Sequence, residues 1–171
     1  MFEGELENDG ILKLQAPVVF ESLLTNKGTL EIKSGISGEV IFQGGLVNQG
    51  TFAANHNPDA TVHWQGSTRL EQGSVELNGG SLRISGDVQE SGDQFSVQSS
   101  NLELSGRTVW MVPRSLTFSE LFLDGNTLLL GDNATELRFS NKVTMAQASG
   151  QIILGLGSLG LFGGLELKKG Y

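Results

Sequence analysis

The sequence lacks cysteine and has little proline. None of its 171 residues is cysteine and three are proline. Disulfides and thiol chemistry are therefore excluded, which fits either a reducing cytosol or an exported bacterial protein that avoids thiols. The few prolines also argue against a proline-rich linker, and a chain of this length normally forms one domain.

Positive charge is scarce too. Lysine and arginine together number 11 against 19 acidic residues, which gives a formal net charge of −8. Such a chain repels phosphate backbones and anionic membrane surfaces, so we expect no nucleic-acid partner. The uncharged stretch from Val143 to Leu165 contains several glycines and polar residues that weaken a helix. We therefore expect no membrane insertion.

Common catalytic signatures are missing as well. The sequence has no Gly-x-Ser-x-Gly, no His-Glu-x-x-His and no phosphate-binding glycine loop, which are the usual marks of hydrolases and nucleotide-binding proteins. We expect a protein that is not an enzyme, with no catalytic residue, cofactor or metal. No signal peptide is visible at residues 1–5, so export would need information outside this chain.

Glycine, in contrast, is abundant at 24 residues, and it marks a repeat. In the stretch Leu24–Ile32 an apolar residue precedes an Asn/Gly turn and then an alternating strand. Similar stretches recur about every 18 to 27 residues, a spacing typical of a solenoid with one coil per repeat. The predicted coils of this single domain, residues 1–171, open near Ile11, Thr29, Thr51, Ser74, Asn101, Thr127 and Gln151.

Each repeat also contains two further short strands, so the sequence predicts about six coils with three strands per coil. Alternation places Leu30 and Ile32, and their equivalents in each coil, on the inward face. The predicted fold is an all-β right-handed parallel β-helix, with neighbouring coils about 4.8 Å apart. The alternative is a β-sandwich or jelly roll, for which Asn78-Gly79 and Asp124-Gly125 are suitable hairpin turns.

The Asn26-Lys27-Gly28-Thr29-Leu30-Glu31-Ile32 type of unit resembles that of right-handed parallel β-solenoid proteins, in particular the filamentous-haemagglutinin and autotransporter-passenger type of bacterial surface protein. The resemblance covers about residues 11 to 150. It implies a shaft used in adhesion or display, and it supplies no catalytic motif for this chain.

An outward row of side chains is the first candidate interaction surface. Between the two inward residues of each opening strand the row contains Glu31, Glu76 and Glu103. Glu76 and Glu103 would lie on adjacent coils, where a pair of like charges could bind a cation or act as acid and base. The simpler interpretation is a solvated face on which Arg83, Arg107 or water relieves the repulsion.

A long loop and two tryptophans form the second candidate. Residues 87–94 contain Asp87, Glu90 and Asp93 in the longest unit, and projecting loops of solenoids often carry recognition. Trp64 and Trp110 could stack on sugar rings if they are exposed, although their alternation with valines favours Trp64 as a core residue. These features favour an alternative function as a carbohydrate-binding or polysaccharide-processing β-helix.

The ends of a parallel stack expose unpaired backbone groups. Residues 151–165 form a glycine-rich apolar segment that we expect to act as an assembly contact, with the candidate residues Ile153, Leu159, Leu161 and Phe162. Self-association or contact with neighbouring domains of a longer protein is the expected partnership. The expected function is a non-enzymatic structural or adhesive β-solenoid of an extracellular or cell-surface fibre, stalk or adhesin.

Overall fold

The structure is a computed structural model of the chain, and its strands are short. It describes residues 1–55, 59–91, 94–98, 100–105, 109–112, 115–124, 128–131, 136–146, 151–154, 158–161, 163 and 165–167. Within these ranges it contains 24 strands and no helix. The described residues accordingly offer no helix with the length and hydropathy of a membrane span.

The strands follow one another in sets of three. In chain order they are β1 Leu6–Asn8, β2 Ile11–Leu14, β3 Val18–Phe20, β4 Leu24–Asn26, β5 Thr29–Ile32, β6 Gly38–Phe42, β7 Leu46–Asn48, β8 Thr51–Asn55, β9 Ala60–Trp64, β10 Thr68–Leu70, β11 Ser74–Asn78, β12 Ser81–Ile84, β13 Val88–Glu90, β14 Gln94–Gln98, β15 Asn101–Ser105, β16 Val109–Val112, β17 Leu116–Phe118, β18 Leu121–Asp124, β19 Leu128–Gly131, β20 Glu136–Phe139, β21 Val143–Met145, β22 Gln151–Leu154, β23 Ser158–Leu161 and β24 Leu165–Leu167.

Strands that are three apart in the chain pair with each other, except β14 and β17, and this pattern makes the fold a parallel β-solenoid. The first sheet has the order β1-β4-β7-β10-β13-β16-β19-β22, and the third runs from β3 to β24 with eight strands. The second sheet, β2-β5-β8-β11-β14, has five, and a fourth sheet, β17-β20-β23, follows it in the coil order. Strand β17 lies against β14 without ladder pairing. One side of the column therefore consists of two sheets, the second and the fourth.

All ladders among the described strands are parallel. The predicted β-solenoid with three strands per coil is therefore confirmed and the β-sandwich alternative is wrong. Gly79 and Gly80 have positive φ angles of 80° and 66°, but they turn the chain between strands of two different sheets rather than through a hairpin. The number of coils differs slightly from the predicted six. Two sheets contain eight strands each, and the second sheet contains five.

The predicted register holds for the first four coils and then fails. Thr51 pairs with Thr29 on one side and with Ser74 on the other, as expected. The next member of this ladder is Gln94, because residues 94–98 form a strand that was expected to be partly loop. Asn101 pairs instead with Ser81 in the third sheet.

The later predicted openings are displaced for the same reason. Gln151 pairs with Leu128 in the first sheet, not in the ladder that contains Ser74, and Thr127 lies outside the described residues. Leu102 and Leu104 are buried as expected, but in the third sheet on Leu82 and Ile84. The alternation was therefore correct while the assignment to a sheet was wrong.

Aromatic side chains from different sheets form a continuous column in the core. At its N-terminal end the rings of Phe2, Phe20 and Phe42 stack with centroids 5.3 and 5.2 Å apart. Further along, most rings meet edge to face, a geometry that stabilises aromatic pairs by about 0.5–1.5 kcal/mol beyond burial. The column continues through Phe52, Trp64, Phe95, Trp110, Phe118 and Phe139.

The two tryptophans in this column differ in their polar contacts, and the difference predicts their tolerance to substitution. The Trp110 indole donates from Nε1 to Glu90 Oε1 over 2.7 Å, whereas the buried Trp64 Nε1 has no hydrogen-bond partner among the described residues. We expect Trp110→Phe to lower the free energy of unfolding by about 1–3 kcal/mol more than the matched variant Trp64→Phe. Urea denaturation of both variants measures this difference, and equal losses would contradict it.

Candidate functional site

One corner of the coil is built from asparagine and glycine. Asn8, Asn26 and Asn48 stack on one another at the ends of β1, β4 and β7. Asn8 Nδ2 donates to Asn26 Oδ1 over 2.7 Å, and Asn26 Nδ2 donates to Asn48 Oδ1 over 2.8 Å. Each amide also bonds a backbone carbonyl of the next coil, such as Thr29 O and Thr51 O. This asparagine ladder satisfies buried polar groups along the column.

Glycines stack beside this ladder because the coils approach closely there. A Cβ atom on Gly28 would lie 2.1 Å from Gly10 O, and one on Gly50 would lie 2.1 Å from Gly28 O. The same distance separates a Gly73 Cβ from Gly50 O, and Gly73 also has a positive φ of 109°. Only a residue without a side chain fits between two coils at this corner.

Glu31 follows Lys13 in the outward row, and two lysines contact its carboxylate. Its carboxylate bonds Lys33 and lies 3.9 Å from Lys13 Nζ on the preceding coil. The Lys33 ammonium lowers the pKa of the Glu31 carboxyl, and Lys13 adds to this effect. Glu7 behaves similarly, because its hydrogen bond to Lys27 on the next coil lowers its pKa. These outward charges join neighbouring coils.

Glu76 and Glu103 do not form the predicted pair. Glu76 lies in the second sheet between Ala53 and Ser96, while Glu103 lies in the third sheet beside Arg83. The expectation of adjacent carboxylates is wrong, because the additional strand β14 shifts Glu103 to another side of the column. Arg83 Nε is 3.0 Å from Glu103 Oε1, so Arg83 neutralises Glu103 and not a Glu76–Glu103 pair.

Arg83 is the centre of a polar cluster. Its Nη1 donates to Glu39 Oε1 over 2.5 Å, and its Nε forms an ion pair with Glu103 Oε1. Glu39 is on β6 and Glu103 is on β15, so the cluster extends across four neighbouring strands of the third sheet. The next outward residue beside Arg83 is His63. The two carboxylates neutralise the arginine and connect coils that are not in direct contact.

His63 carries a hydrogen bond that the sequence did not indicate. Its Nε2 is 2.8 Å from Ser85 Oγ, the distance expected for a hydroxyl and a general base. Burial lowers the pKa of His63, and the Arg83 guanidinium lowers it further, while Glu39 and Glu103 act in the opposite direction. Both carboxylates contact Arg83 rather than the imidazole in the described contacts, so neither of them orients His63.

The lowered pKa of His63 predicts a loss of stability in mild acid. The unfolded chain binds the proton more tightly than the folded chain does, so the free energy of unfolding decreases as pH falls through the ordinary value of about 6.5. We expect the thermal midpoint to be lower at about pH 5.5 than at about pH 7.5, and His63→Gln to reduce this difference. Calorimetry of both proteins measures it. An unchanged pH dependence in the variant would contradict the prediction.

A groove lies where β11 and β14 run side by side. It has a volume of about 300 Å³ and is lined by Ser74, Glu76, Gln94, Phe95 and Ser96. Its rim is polar, with the exposed side chains of Glu76, Gln94 and Ser96, while Phe95 is buried beneath them. One carboxylate, one amide and two hydroxyls can together bond a neutral polyhydroxyl compound. Of the predicted site residues, the groove contains only Glu76.

Within the predicted loop at residues 87–94, Val88–Glu90 form β13, which pairs with β10, and Gln94 begins β14. These four residues are strand rather than loop. Glu90 accepts the Trp110 indole proton, Asp87 precedes the strand, and Asp93 lies outside the described residues. Trp64 and Trp110 are both 0% exposed, so neither offers a ring face to a sugar.

The predicted assembly contact belongs to the last coil. Ile153 is on β22, and Leu159 and Leu161 are on β23, whereas Phe162 lies outside the described residues. Among the described strands, β22 and β23 each have one neighbour in their sheets. The assembly contact at these three residues stays a prediction.

In the described part of the chain, no group of three or more His, Asp or Glu side chains is arranged to hold a metal ion. Comparisons with protein-family models, with curated proteins and with solved structures found no match for the chain. The features that bear on function are therefore the aromatic column of the core, the contacts on its surface and the strands at its ends.

Proposed function

We propose that this β-solenoid is a non-enzymatic structural or adhesive shaft of an extracellular or cell-surface fibre, stalk or adhesin, of the filamentous-haemagglutinin or autotransporter-passenger type. The observation that carries the proposal is the aromatic column from Phe2 to Phe139, in which each ring contacts the next. A continuous packed core of this kind resists bending, because interior side chains are close-packed.

The outward charges support the same function. Lys27 bonds Glu7 across two coils over 2.6 Å, and Arg83 joins Glu39 to Glu103. Exposed ion pairs of this type each contribute little to stability, about 0–1 kcal/mol. Their arrangement along the column axis nevertheless opposes sliding of one coil over the next. In this proposal the ion-paired side chains hold neighbouring coils together and do not bind a ligand.

Assembly in this proposal uses self-association or neighbouring domains of a longer protein, with Ile153, Leu159 and Leu161 at the contact. Light scattering at increasing protein concentration, combined with electron microscopy, tests the proposal. We expect elongated particles whose mass increases with concentration, and Leu161→Lys should reduce that increase. A monomer at all concentrations that is unaffected by Leu161→Lys would count against it.

A carbohydrate-binding solenoid is the second candidate, and the groove at β11 and β14 favours it. The test is calorimetric titration with a panel of soluble oligosaccharides. If the groove binds them, Glu76→Gln should weaken binding about tenfold or more, since a charge-assisted hydrogen bond is lost. Glu31→Gln is the matched control, because Glu31 is on the same outward row two coils away. Equal effects of the two variants would exclude the groove.

A further inference from the structure

A histidine and a serine meet on the outside of the third sheet, and the proposed shaft function uses neither. His63 Nε2 lies 2.8 Å from Ser85 Oγ. Along β9 His63 alternates with the buried Val62 and Trp64, so its imidazole is on the outward face of the column. Both members of the pair are partly buried. The pair is therefore firmly placed and still accessible to small solutes.

The backbone fixes Ser85 beside β9. Its N–H donates to Trp64 O over 3.0 Å. The next residue, Gly86, lies so close to the preceding coil that an added Cβ would be 2.3 Å from Gly66 O. The serine is thus held between the end of β12 and a glycine contact, and the histidine is held within a strand. Groups placed by strands keep their geometry better than groups placed by loops.

Serine replaces glutamine at this corner of the coil. The backbone N–H groups of Gln43 and Gln65 bond the preceding coil in the same way as that of Ser85. Both glutamines are exposed, whereas the serine is partly buried. The shorter side chain keeps its hydroxyl close to the sheet, where the imidazole on the neighbouring strand reaches it.

The pair has the composition of a nucleophile and its base. When Nδ1 of the neutral imidazole carries the proton, Nε2 accepts from the Ser85 hydroxyl. Burial and the Arg83 guanidinium lower the pKa of His63, against the opposite effect of Glu39 and Glu103. The imidazole is therefore neutral, and able to take a proton, at neutral pH. A hydroxyl within hydrogen-bond distance of such a base is the arrangement that activates serine for covalent chemistry.

The charges beside the pair select the kind of co-reactant. One guanidinium, that of Arg83, is paired with the two carboxylates of Glu39 and Glu103, and the whole chain is acidic. Anionic donors such as phosphoryl compounds are repelled, whereas a neutral carboxylic ester is not. The described contacts of Arg83 use Nη1 and Nε. Its Nη2 is then available to stabilise negative charge on an ester oxygen.

We propose that Ser85 accepts an acyl group from small, neutral, activated esters, with His63 as the general base. Ser85 Oγ attacks the carbonyl carbon, an Oγ–C bond forms, and the hydroxyl proton moves to His63 Nε2. The tetrahedral oxyanion then collapses and the bond between the carbon and the leaving oxygen breaks. The leaving oxygen takes the proton from Nε2. The products are an ester on Ser85 and a free alcohol or phenol.

This acylation site goes beyond the shaft function and does not rest on it. The reaction attaches a group to the outside of the column and needs no contact at the last coil. Neither Glu39 nor Glu103 orients the imidazole in the described contacts, so we expect slower acyl transfer than in enzymes with a complete triad. The chemistry accordingly modifies the column.

Treatment of the full chain with para-nitrophenyl acetate tests the proposal. Absorbance measures the nitrophenol released, and peptide mapping by mass spectrometry locates the acetyl group. We expect acetylation of Ser85 to be about a hundredfold faster in the wild type than in His63→Gln, near the lower end of what a positioned base contributes. Glutamine retains a hydrogen bond to the serine but cannot take its proton. A ratio below about tenfold would overturn the proposal.

Two serine variants identify the nucleophile. Ser85→Ala should abolish the release that depends on His63. Ser105→Ala is the matched control, because Ser105 follows Leu104 as Ser85 follows its partner Ile84, and it lies opposite Asp124 rather than a histidine. Its rate should equal that of the wild type. Release that persists in Ser85→Ala, or an acetyl group on His63 in place of the serine, would make the imidazole the nucleophile and refute the proposal.

A pH profile of the wild type tests the base without any substitution. The charged groups that act on His63 are Arg83 on β12, Glu39 on β6 and Glu103 on β15. Because their combined effect with burial lowers the pKa of His63, Ser85 acetylation should reach a plateau at neutral pH and fall with a midpoint below about 6.5. A rate that rises up to about pH 9 with no plateau would show activation by hydroxide and would exclude His63 as the base.

Discussion

Replacement of Gly50 by alanine should lower the free energy of unfolding by about 3 kcal/mol or more, among the largest effects expected for one methyl group. The added Cβ would lie 2.1 Å from Gly28 O and 2.6 Å from Lys27 O. Both are backbone atoms of the preceding coil and neither can rotate away. The two coils must separate locally, which also weakens the asparagine ladder at Asn26 and Asn48.

Urea denaturation and calorimetry measure this loss, and Gly10→Ala is the control. Gly10 occupies the same corner in the first coil, where an added Cβ meets nothing within 4 Å. Its free energy of unfolding should change by no more than about 0.5 kcal/mol, as for an unstrained surface site. If both variants lost the same stability, backbone propensity rather than coil spacing would explain the glycines.

Replacement of Asn26 by aspartate should cost about 3 kcal/mol or more at neutral pH. The Asn26 side chain is fully buried, and its Nδ2 donates to Asn48 Oδ1 and Thr51 O. A carboxylate would place negative oxygen against these two acceptors and lose both hydrogen bonds. Repulsion should raise the pKa of the new carboxyl, so the deficit should shrink as acid protonates it and restores one donor.

Thermal denaturation at several pH values measures this effect, and Asn55→Asp is the control. Asn55 is exposed and accepts from Asn78 Nδ2 over 2.6 Å, a bond that a carboxylate can still accept. The control should change stability by no more than about 0.5 kcal/mol. A comparable loss in both variants, or a deficit in Asn26→Asp that does not depend on pH, would contradict the role assigned to the ladder.

Much of the local structure could be predicted from the sequence. Asn26, Gly28 and the alternation of Leu30 with Ile32 define a corner and a half-buried strand, because side chains alternate between the two faces of a strand. The same pattern at Thr51 and Ser74 sets the register of the first coils. The later coils lack the Asn-x-Gly corner, so alternation alone had to place them.

Alternation alone could not place those coils. A ladder of Leu102 and Leu104 on Val75 and Leu77 has the same inward pattern as a ladder on Leu82 and Ile84. Strand β14, Gln94–Gln98, occupies the position on β11, and the Ser91-Gly92-Asp93 stretch before it lacks the Asn-x-Gly spacing of the first corners. The choice depends on which residues fill the core, which is a property of the whole stack.

The candidate site was predicted less well for the same reason. The partners of Glu103 and Trp110 are Arg83 and Glu90, each 20 residues or so away in sequence, at a separation set by coil length. His63 and Ser85 likewise meet because they are on adjacent strands of the third sheet. An error of one strand in the register moves every such pair to another side of the column.

The sequence by itself determined a repetitive all-β chain, its inward residues and the Asn/Gly corner, because these depend on side-chain alternation and on backbone sterics within a few residues. Only the tertiary structure decided which strands stack, where the second sheet ends and which charges pair. Those features depend on contacts between residues one coil apart, where several registers bury similar side chains and only the packed stack distinguishes them.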